Sequence, residues 1–263
     1  MTTAVQDYRR RLHAIRDLPT LPVIAQRILT LADDSDTGAE KLSEIIRSDQ
    51  ALSVKVLSLA NSAYFGYRAR IGTIHQAVVV IGANMLKQLA LSVLVCGSID
   101  KNRRSRTEFW RHSLATAMAA SLIAAKARIP SPDVCFMGGL LHDVGKLILC
   151  TYPPEADDNE ESTVNHSEVG GWMAERWQLP PELVDAIAFH HSPDYGGLPT
   201  ARTVACVSLA NACAHIAAAD SEGEHAVEVH PITLHTLGFS DAEFVEVAAD
   251  LQSRIDQVNE LLI

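Results

Sequence analysis

The sequence predicts an all-α fold, with an N-terminal helical lobe packed on a second helical bundle. Three observations predict it. Apolar residues recur at helical spacing in almost every segment, and no segment alternates with the period of two that is typical of a strand. Alanine and leucine are abundant, while aromatic residues make up only 5% of the chain. The 263 residues, 48% of them hydrophobic, are enough to bury a substantial core.

Short helices separated by breaker residues are predicted for the N-terminal lobe, at residues 1–100. The Leu18–Pro22 stretch contains two prolines and is therefore expected to be extended. Apolar residues at helical spacing continue from there to about residue 61. Two further helices of this lobe are predicted at about 73–80 and 83–97.

Longer helices are predicted beyond a polar, basic connection at residues 101–106. Prolines fall between them, because a residue without an N–H and with a fixed φ interrupts a helix. We assign residues 101–217 to a second lobe and residues 218–263 to a C-terminal helical extension. The predicted helices lie at about 106–128, 132–150, 164–178, 181–191, 200–217 and 240–262.

Composition indicates a cytoplasmic protein rather than a secreted or membrane one. The polar N-terminus is unlike a signal peptide, and the longest apolar run, Leu89–Ile99, is too short to span a bilayer. The five cysteines are scattered and include no CxxC pair. We therefore expect neither a disulfide framework nor a thiolate zinc site.

Charge is distributed unevenly along the chain, whose net charge is −10. Residues 1–131 hold 18 Lys and Arg against 10 Asp and Glu, whereas residues 132–263 hold 4 against 22. Two interpretations stay open: an interaction surface, or two halves that attract each other or carry solvated faces.

Five histidines and one aspartate form a candidate metal site. Apart from two adjacent pairs, they lie on different predicted helices, and helix bundles build metal sites from inward-facing side chains on neighbouring helices. Imidazole suits Fe, Mn, Ni or Zn, and a carboxylate beside it can bridge two ions or orient a water. One or two divalent ions are therefore expected. The residues are His112, His142, Asp143, His166, His190 and His191.

Spacing within this set suggests how phosphoryl chemistry would be arranged. Adjacent residues on a helix point about 100° apart, so the His142-Asp143 and His190-His191 pairs could each serve two neighbouring ions. Two ions about 3.5–4 Å apart would activate water and stabilise a phosphoryl transition state. Lys146 lies one turn beyond His142 and could contact a phosphate as a point charge. Asp143 and Lys146 are the candidate catalytic residues.

The histidine and aspartate pattern resembles the HD superfamily of metal-dependent phosphohydrolases. The N-terminal half resembles one branch of it, the HDOD domain, an HD-related output domain of bacterial signalling proteins. The resemblance covers about residues 15–217. The motifs that carry it are Leu18–Pro22, Ile45–Gln50, Leu57–Ser62, Ile74–Ala77 and Ile81-Gly82.

This resemblance implies a signal-transduction protein whose second lobe is often catalytically degenerate. The chain keeps the histidines seen in the HD-GYP branch, which hydrolyses cyclic dinucleotides, but it departs from the family pattern in two places. The final aspartate ligand of the superfamily falls at Asn211, a weaker and uncharged candidate ligand. The Gly-Tyr-Pro signature is missing after His191.

Three functions are weighed against each other. The first is a regulatory protein that acts through protein or small-ligand contacts, with weak or no catalysis at its metal site. The second is a metal-dependent phosphohydrolase acting on a nucleotide or cyclic dinucleotide. The third, DNA binding by Leu42–Ser62, is disfavoured because the second helix offers only Lys55 as a cation. Signalling proteins are the expected partners, a nucleotide ligand and a homodimer stay open, and no membrane partner is expected.

Overall fold

The computed structural model describes residues 22–31, 36–61, 65, 67, 70–99, 103–153, 164–192, 197–218 and 229–261. These residues form helices joined by turns and include no strand, which confirms the predicted all-α class. The Leu18–Pro22 motif lies outside them except for its last residue. The helices are α1 Val23–Leu29, α2 Asp36–Arg47, α3 Gln50–Ala60, α4 Ile74–Ile81, α5 Ala83–Ile99, α6 Arg103–Lys126, α7 Pro132–Leu141, α8 Val144–Thr151, α9 His166–Arg176, α10 Pro181–Phe189, α11 Ala201–Ala218, α12 Pro231–Leu237 and α13 Asp241–Leu261.

The chain divides into two compact units. One contains the described residues within Leu21–Ser98 and Ser253–Ile263, and the other those within Ile99–Gln252. In the first unit, α2 packs on α1, α3 and α4. Two of its helix starts are capped by side chains: Asp49 accepts from the N–H of Leu52 at 3.0 Å, and Thr73 accepts from the N–H of Gln76 at 3.1 Å.

The Asn61 side chain joins the two ends of the loop between α3 and α4. Asn61 Oδ1 accepts from the N–H of Ile71 at 2.7 Å, and Asn61 Nδ2 donates to the carbonyl of Ile71 at 2.8 Å. The amide therefore pairs both backbone groups of one residue across ten positions of the chain. Buried apolar side chains from all five helices complete the core of this unit, among them Ile28, Ile46, Val56, Ala77 and Leu86.

The second unit is a bundle around α6 and α11. Helix α6 packs on α7 and α11, α9 packs on α8 and α10, and α11 also contacts α7, α10 and α12. Gly139 lets α7 approach α6 closely, because a Cβ there would lie 2.8 Å from the Cα of Ala117. Gly145 does the same between α8 and α9, because a Cβ there would overlap the carbonyl oxygen of His166. These contacts bring the candidate ligands on neighbouring helices close together.

In three places the structure differs from the predicted helix bounds by more than two residues. The single helix predicted at 132–150 is two helices, and His142 and Asp143 form the turn between them. Helix α6 begins at Arg103, inside the segment predicted as a connection. Helix α12 was not predicted; it begins after His230, whose Nδ1 accepts from the N–H of Ile232 at 3.3 Å, and it ends at Gly238 in the left-handed region, with φ 70°.

One stretch, Pro132–Thr151, is long and apolar enough to cross a bilayer by composition alone, with a mean hydropathy of 1.4. It comprises α7, α8 and the turn between them. Of its most apolar window, 72% is buried inside the protein. That burial is typical of core helices in a bundle.

Candidate metal centre

The structure brings the five candidate histidines and Asp143 together as two neighbouring sets of potential metal ligands. Within each set, one ligand atom of every member lies within 4.8 Å of the others. Asp143 belongs to both sets. The four-donor set comprises Asp143, His166, His190 and His191, and the three-donor set comprises His112, His142 and Asp143.

The four-donor set is arranged around Oδ1 of Asp143. This oxygen lies 3.1 Å from Nε2 of His166 and 3.8 Å from Nε2 of His190, and the two nitrogens are 3.4 Å apart. The His191 ring lies beside them, with its centre 4.1 Å from that of His190. Ligands bonded to one ion at about 2.1 Å are roughly 3.0–3.4 Å apart, so this spacing is compatible with a shared ion.

The three-donor set is arranged around Oδ2 of the same carboxylate. Nε2 of His112 lies 3.6 Å from this oxygen and Nε2 of His142 lies 3.4 Å from it, while the two nitrogens are 3.2 Å apart. Lys146 also approaches Oδ2, and its Nζ donates to it at 2.7 Å. Each oxygen of Asp143 therefore faces one of the two sets, and Oδ2 is the oxygen that is paired with an ammonium group.

Helix ends fix the rings of His142 and His190. Each follows the last residue of a helix, α7 or α10, where backbone carbonyls lack partners within the helix. Nδ1 of His142 donates to the carbonyl of Gly139, and Nδ1 of His190 donates to that of Ile187, both at 2.8 Å. Because a carbonyl can only accept, Nδ1 carries the proton, and in the neutral ring the lone pair of Nε2 faces Asp143.

His166 and Asp143 meet because α8 and α9 begin side by side. Asp143 precedes α8, and His166 is the first residue of α9. The Asn165 side chain caps α9 by accepting from the N–H of Ser167 at 3.0 Å. The backbones touch at Gly145 and Gly170, where a Cβ on Gly170 would lie 3.1 Å from the N of Gly145.

Burial and neighbouring groups together favour the metal-binding protonation states of three of the histidines and of Asp143. It is the main cause that lowers the pKa of His112 from 6.5 to about 3 and that of His191 to about 4, and it also lowers the pKa of His190. For Asp143, burial alone would raise the pKa, but the approach of His142, His166 and Lys146 holds it well below its usual range. Neutral imidazoles and an ionised carboxylate are the forms that metal binding requires.

The residues present fit a divalent ion. Among the described residues, Oδ1 of Asp143 is fully buried and has no polar partner apart from the imidazoles of His166 and His190. Such an oxygen is costly to bury in isolation, and a cation would satisfy it. The cluster could therefore hold a metal, and its nitrogen-rich donor set suits Fe, Mn, Ni or Zn.

Asn211 lines a cavity next to the cluster. Its side chain is buried, and its Oδ1 has no hydrogen-bond partner in the part of the chain that the structure describes. The cavity has a volume of about 420 Å³. Its lining residues are His190, His191, Ser192, Ser208, Asn211, Ala212, His215, Val229, His230 and Thr233.

Several of these lining residues were missed by the sequence reasoning, among them Ser208. It lies at helical spacing from Asn211 and His215 on α11, a signal that could have identified it. The ring of His215 lies 4.6 Å from that of His112, centre to centre. His230 and Thr233 come from the start of α12, which was not predicted as a helix.

The chain is similar to one known protein family and to several curated proteins. The HDOD domain family matches residues 18–164 and 155–193. An uncharacterized protein of Treponema pallidum (strain Nichols) is 28% identical over 218 residues, covering 75% of this chain and 42% of that protein. A Ribonuclease Y of Thermus thermophilus is 30% identical over 133 residues, covering 51% of this chain and 21% of that protein. The chain thus spans less than half the length of these curated relatives.

Solved structures share the whole fold. An HDOD domain protein of unknown function from Geobacter sulfurreducens superposes with a TM-score of 0.74 at 25% identity, covering 97% of this chain and 96% of that one. A proposed phosphohydrolase from Shewanella amazonensis SB2B gives a TM-score of 0.73 at 22% identity, covering 100% of this chain and 99% of that one. The latter shows a common fold alone. With the family match over most of its length, the chain belongs to the HDOD domain family.

Proposed function

We propose that this HDOD protein is regulatory: it acts through protein or small-ligand contacts, and its second unit binds a divalent metal ion with weak or no turnover. The observation that carries the proposal is an otherwise complete histidine and aspartate cluster whose neighbouring α11 position holds Asn211. An amide there withholds the negative charge that a carboxylate ligand would bring to a second ion.

One ion would be held by the four-donor set, and a second ion, where one binds, by the three-donor set. When bound, it would supply a Lewis acid for an anionic group of a ligand. The chain's own groups would then orient that ligand. Ser208, His215 and Thr233 offer hydrogen-bonding groups from the cavity wall, and Asp143 stays ionised between the two sets.

The position of Lys146 supports regulation over catalysis. A lysine poised for a phosphate would present its ammonium to the ligand, but Lys146 donates to Asp143 instead. Its side chain is 45% exposed, so the ammonium remains reachable from solvent. A bound anion would have to compete with the carboxylate for this cation.

A second function is favoured by one observation, the cavity beside His190 and His191. Its volume of about 420 Å³ lies within the range of small-molecule sites. This supports a metal-dependent phosphohydrolase acting on a nucleotide or a cyclic dinucleotide, with Asp143 and Lys146 as the catalytic candidates. The similarity to Ribonuclease Y, over about a fifth of that protein, makes a short RNA a further substrate to test.

Partners and compartment follow from the regulatory proposal. We place the protein in the cytoplasm with other signalling proteins as partners, and we expect its cysteines to remain reduced there. Cys135, Cys206 and Cys213 are free and buried, as small core side chains.

Turnover assays distinguish the two functions. The protein is loaded in turn with Fe²⁺, Mn²⁺, Ni²⁺ or Zn²⁺ and incubated with a model phosphodiester, a nucleoside triphosphate, a cyclic dinucleotide and a short RNA. We expect bound metal without turnover above that of Asp143→Asn. Glu182→Gln, which removes an exposed carboxylate of the same unit, is the matched control. Turnover that is kept in Glu182→Gln and lost in Asp143→Asn would replace the regulatory proposal by the hydrolase.

A further inference from the structure

We infer that the two sets are unequal: the four-donor set binds the first metal ion tightly, and the three-donor set, which contains the His-Asp pair, binds a second ion weakly. The inference rests on the metal binding proposed above and assigns that binding to particular residues. Three independent features of the second unit support it.

The number of donors is the first feature. The four-donor set offers three imidazoles and a carboxylate oxygen, enough to complete a tetrahedral site from the chain alone. The three-donor set offers two imidazoles and the other oxygen, and within the described residues His215 lies beside it, with its ring centre 4.6 Å from that of His112. An ion in the three-donor set therefore depends on an amide, on a movement of His215 or on solvent for its remaining ligands.

The charge on the shared carboxylate is the second feature. Oδ2, which faces the three-donor set, already accepts from the ammonium of Lys146 at 2.7 Å. A divalent ion bound to Oδ2 must displace this cation or lie close to it, and like charges at such short distance repel. Among the described residues, Oδ1, which faces the four-donor set, is approached by imidazole nitrogens and by no ammonium group, and the nearer nitrogen is Nε2 of His166 at 3.1 Å.

Backbone packing is the third feature. Asp143 and His166 are held by the direct contact between α8 and α9 at Gly145 and Gly170. Orientation by helix carbonyls does not separate the two sets, because each contains one anchored ring, His142 or His190. The contact of the two backbones favours the four-donor set, because it holds Oδ1 of Asp143 and Nε2 of His166 3.1 Å apart before metal binds.

The test is a metal titration of the full chain, stripped of metal and titrated with Zn²⁺ by calorimetry and with Co²⁺ by visible absorption. The wild type should show one tight and one weaker equivalent. His191→Ala and His112→Ala are a matched pair, one truncated imidazole from each set. We expect His191→Ala to weaken the first equivalent at least about ten-fold, and His112→Ala to leave it unchanged while removing the second.

Lys146 provides a second comparison that leaves every proposed ligand in place. Lys146→Met should strengthen the second equivalent about ten-fold or more and the first equivalent by less, whereas Lys146→Arg, which keeps the positive charge, should change neither. Loss of the tight equivalent in His112→Ala but not in His191→Ala would overturn the inference while leaving metal binding intact. Failure of the wild type to bind either ion would overturn both the inference and the proposed function.

Discussion

Replacing Gly145 with alanine should separate the two helices that hold the four-donor set. A Cβ at this position would lie 2.8 Å from the carbonyl carbon of His166 and 2.9 Å from the N of Gly170, against 3.4 Å or more in ordinary contacts. These are backbone atoms, so no side chain can rotate away. Helix α9 must therefore move from α8 by more than half an ångström.

This displacement has two consequences that can be measured separately. Overpacking of this kind costs about 1–3 kcal/mol of the free energy of unfolding. It also carries Nε2 of His166 away from Oδ1 of Asp143, now 3.1 Å distant, so metal affinity should fall at least about ten-fold.

Urea unfolding and Zn²⁺ titration of Gly145→Ala measure both effects. The matched control is Gly197→Ala, because no atom of the described residues, its chain neighbours aside, lies within 4 Å of a Cβ built at Gly197. Wild-type stability and wild-type metal affinity in Gly145→Ala would refute the close helix contact and its role in fixing the site.

Three further predictions concern Asn211, His112 and Asn61. Asn211→Asp should destabilise the metal-free protein, because it buries a charge without a described partner, and it should tighten binding of the second metal equivalent. A melting temperature equal to that of the wild type, both without and with Zn²⁺, would contradict this. His112 has a pKa of about 3 in the folded protein and about 6.5 unfolded, so the unfolded chain binds more protons and stability should fall as pH drops from about 6.5 towards 3. Urea midpoints between pH 7 and 4 should show this fall, with a shallower slope in His112→Gln; equal slopes would argue against it. Asn61→Ala leaves the backbone groups of Ile71 without this partner and should cost about 1–3 kcal/mol, measured by urea unfolding against the exposed control Thr30→Ala, and a loss no greater than that of the control would contradict it.

The all-α class and most helices could be predicted because apolar spacing and prolines are local signals. The turn at His142 and Asp143 could not, because the apolar pattern of α7 runs on into α8 without a breaker residue between them. Helix α12 was missed because seven residues carry too short a pattern, although Pro231 at its start and Gly238 at its end are typical helix boundary residues.

The candidate ligands could be chosen from the sequence because five histidines on four predicted helices, two of them adjacent, are unusual. Their division into two sets could not, because it depends on which oxygen of Asp143 each ring approaches. Lys146 was expected to face a phosphate from a continuous helix. Its ammonium instead pairs with the carboxylate of Asp143, three residues earlier in the chain, a contact that i,i+3 spacing allows.

Anomalous X-ray diffraction from crystals grown with Zn²⁺ tests the metal centre most directly. The account predicts the strongest peak at about 2.0–2.2 Å from Oδ1 of Asp143 and from Nε2 of His166 and His190. A strongest peak among other residues, or none in this cluster at saturating Zn²⁺, would contradict it.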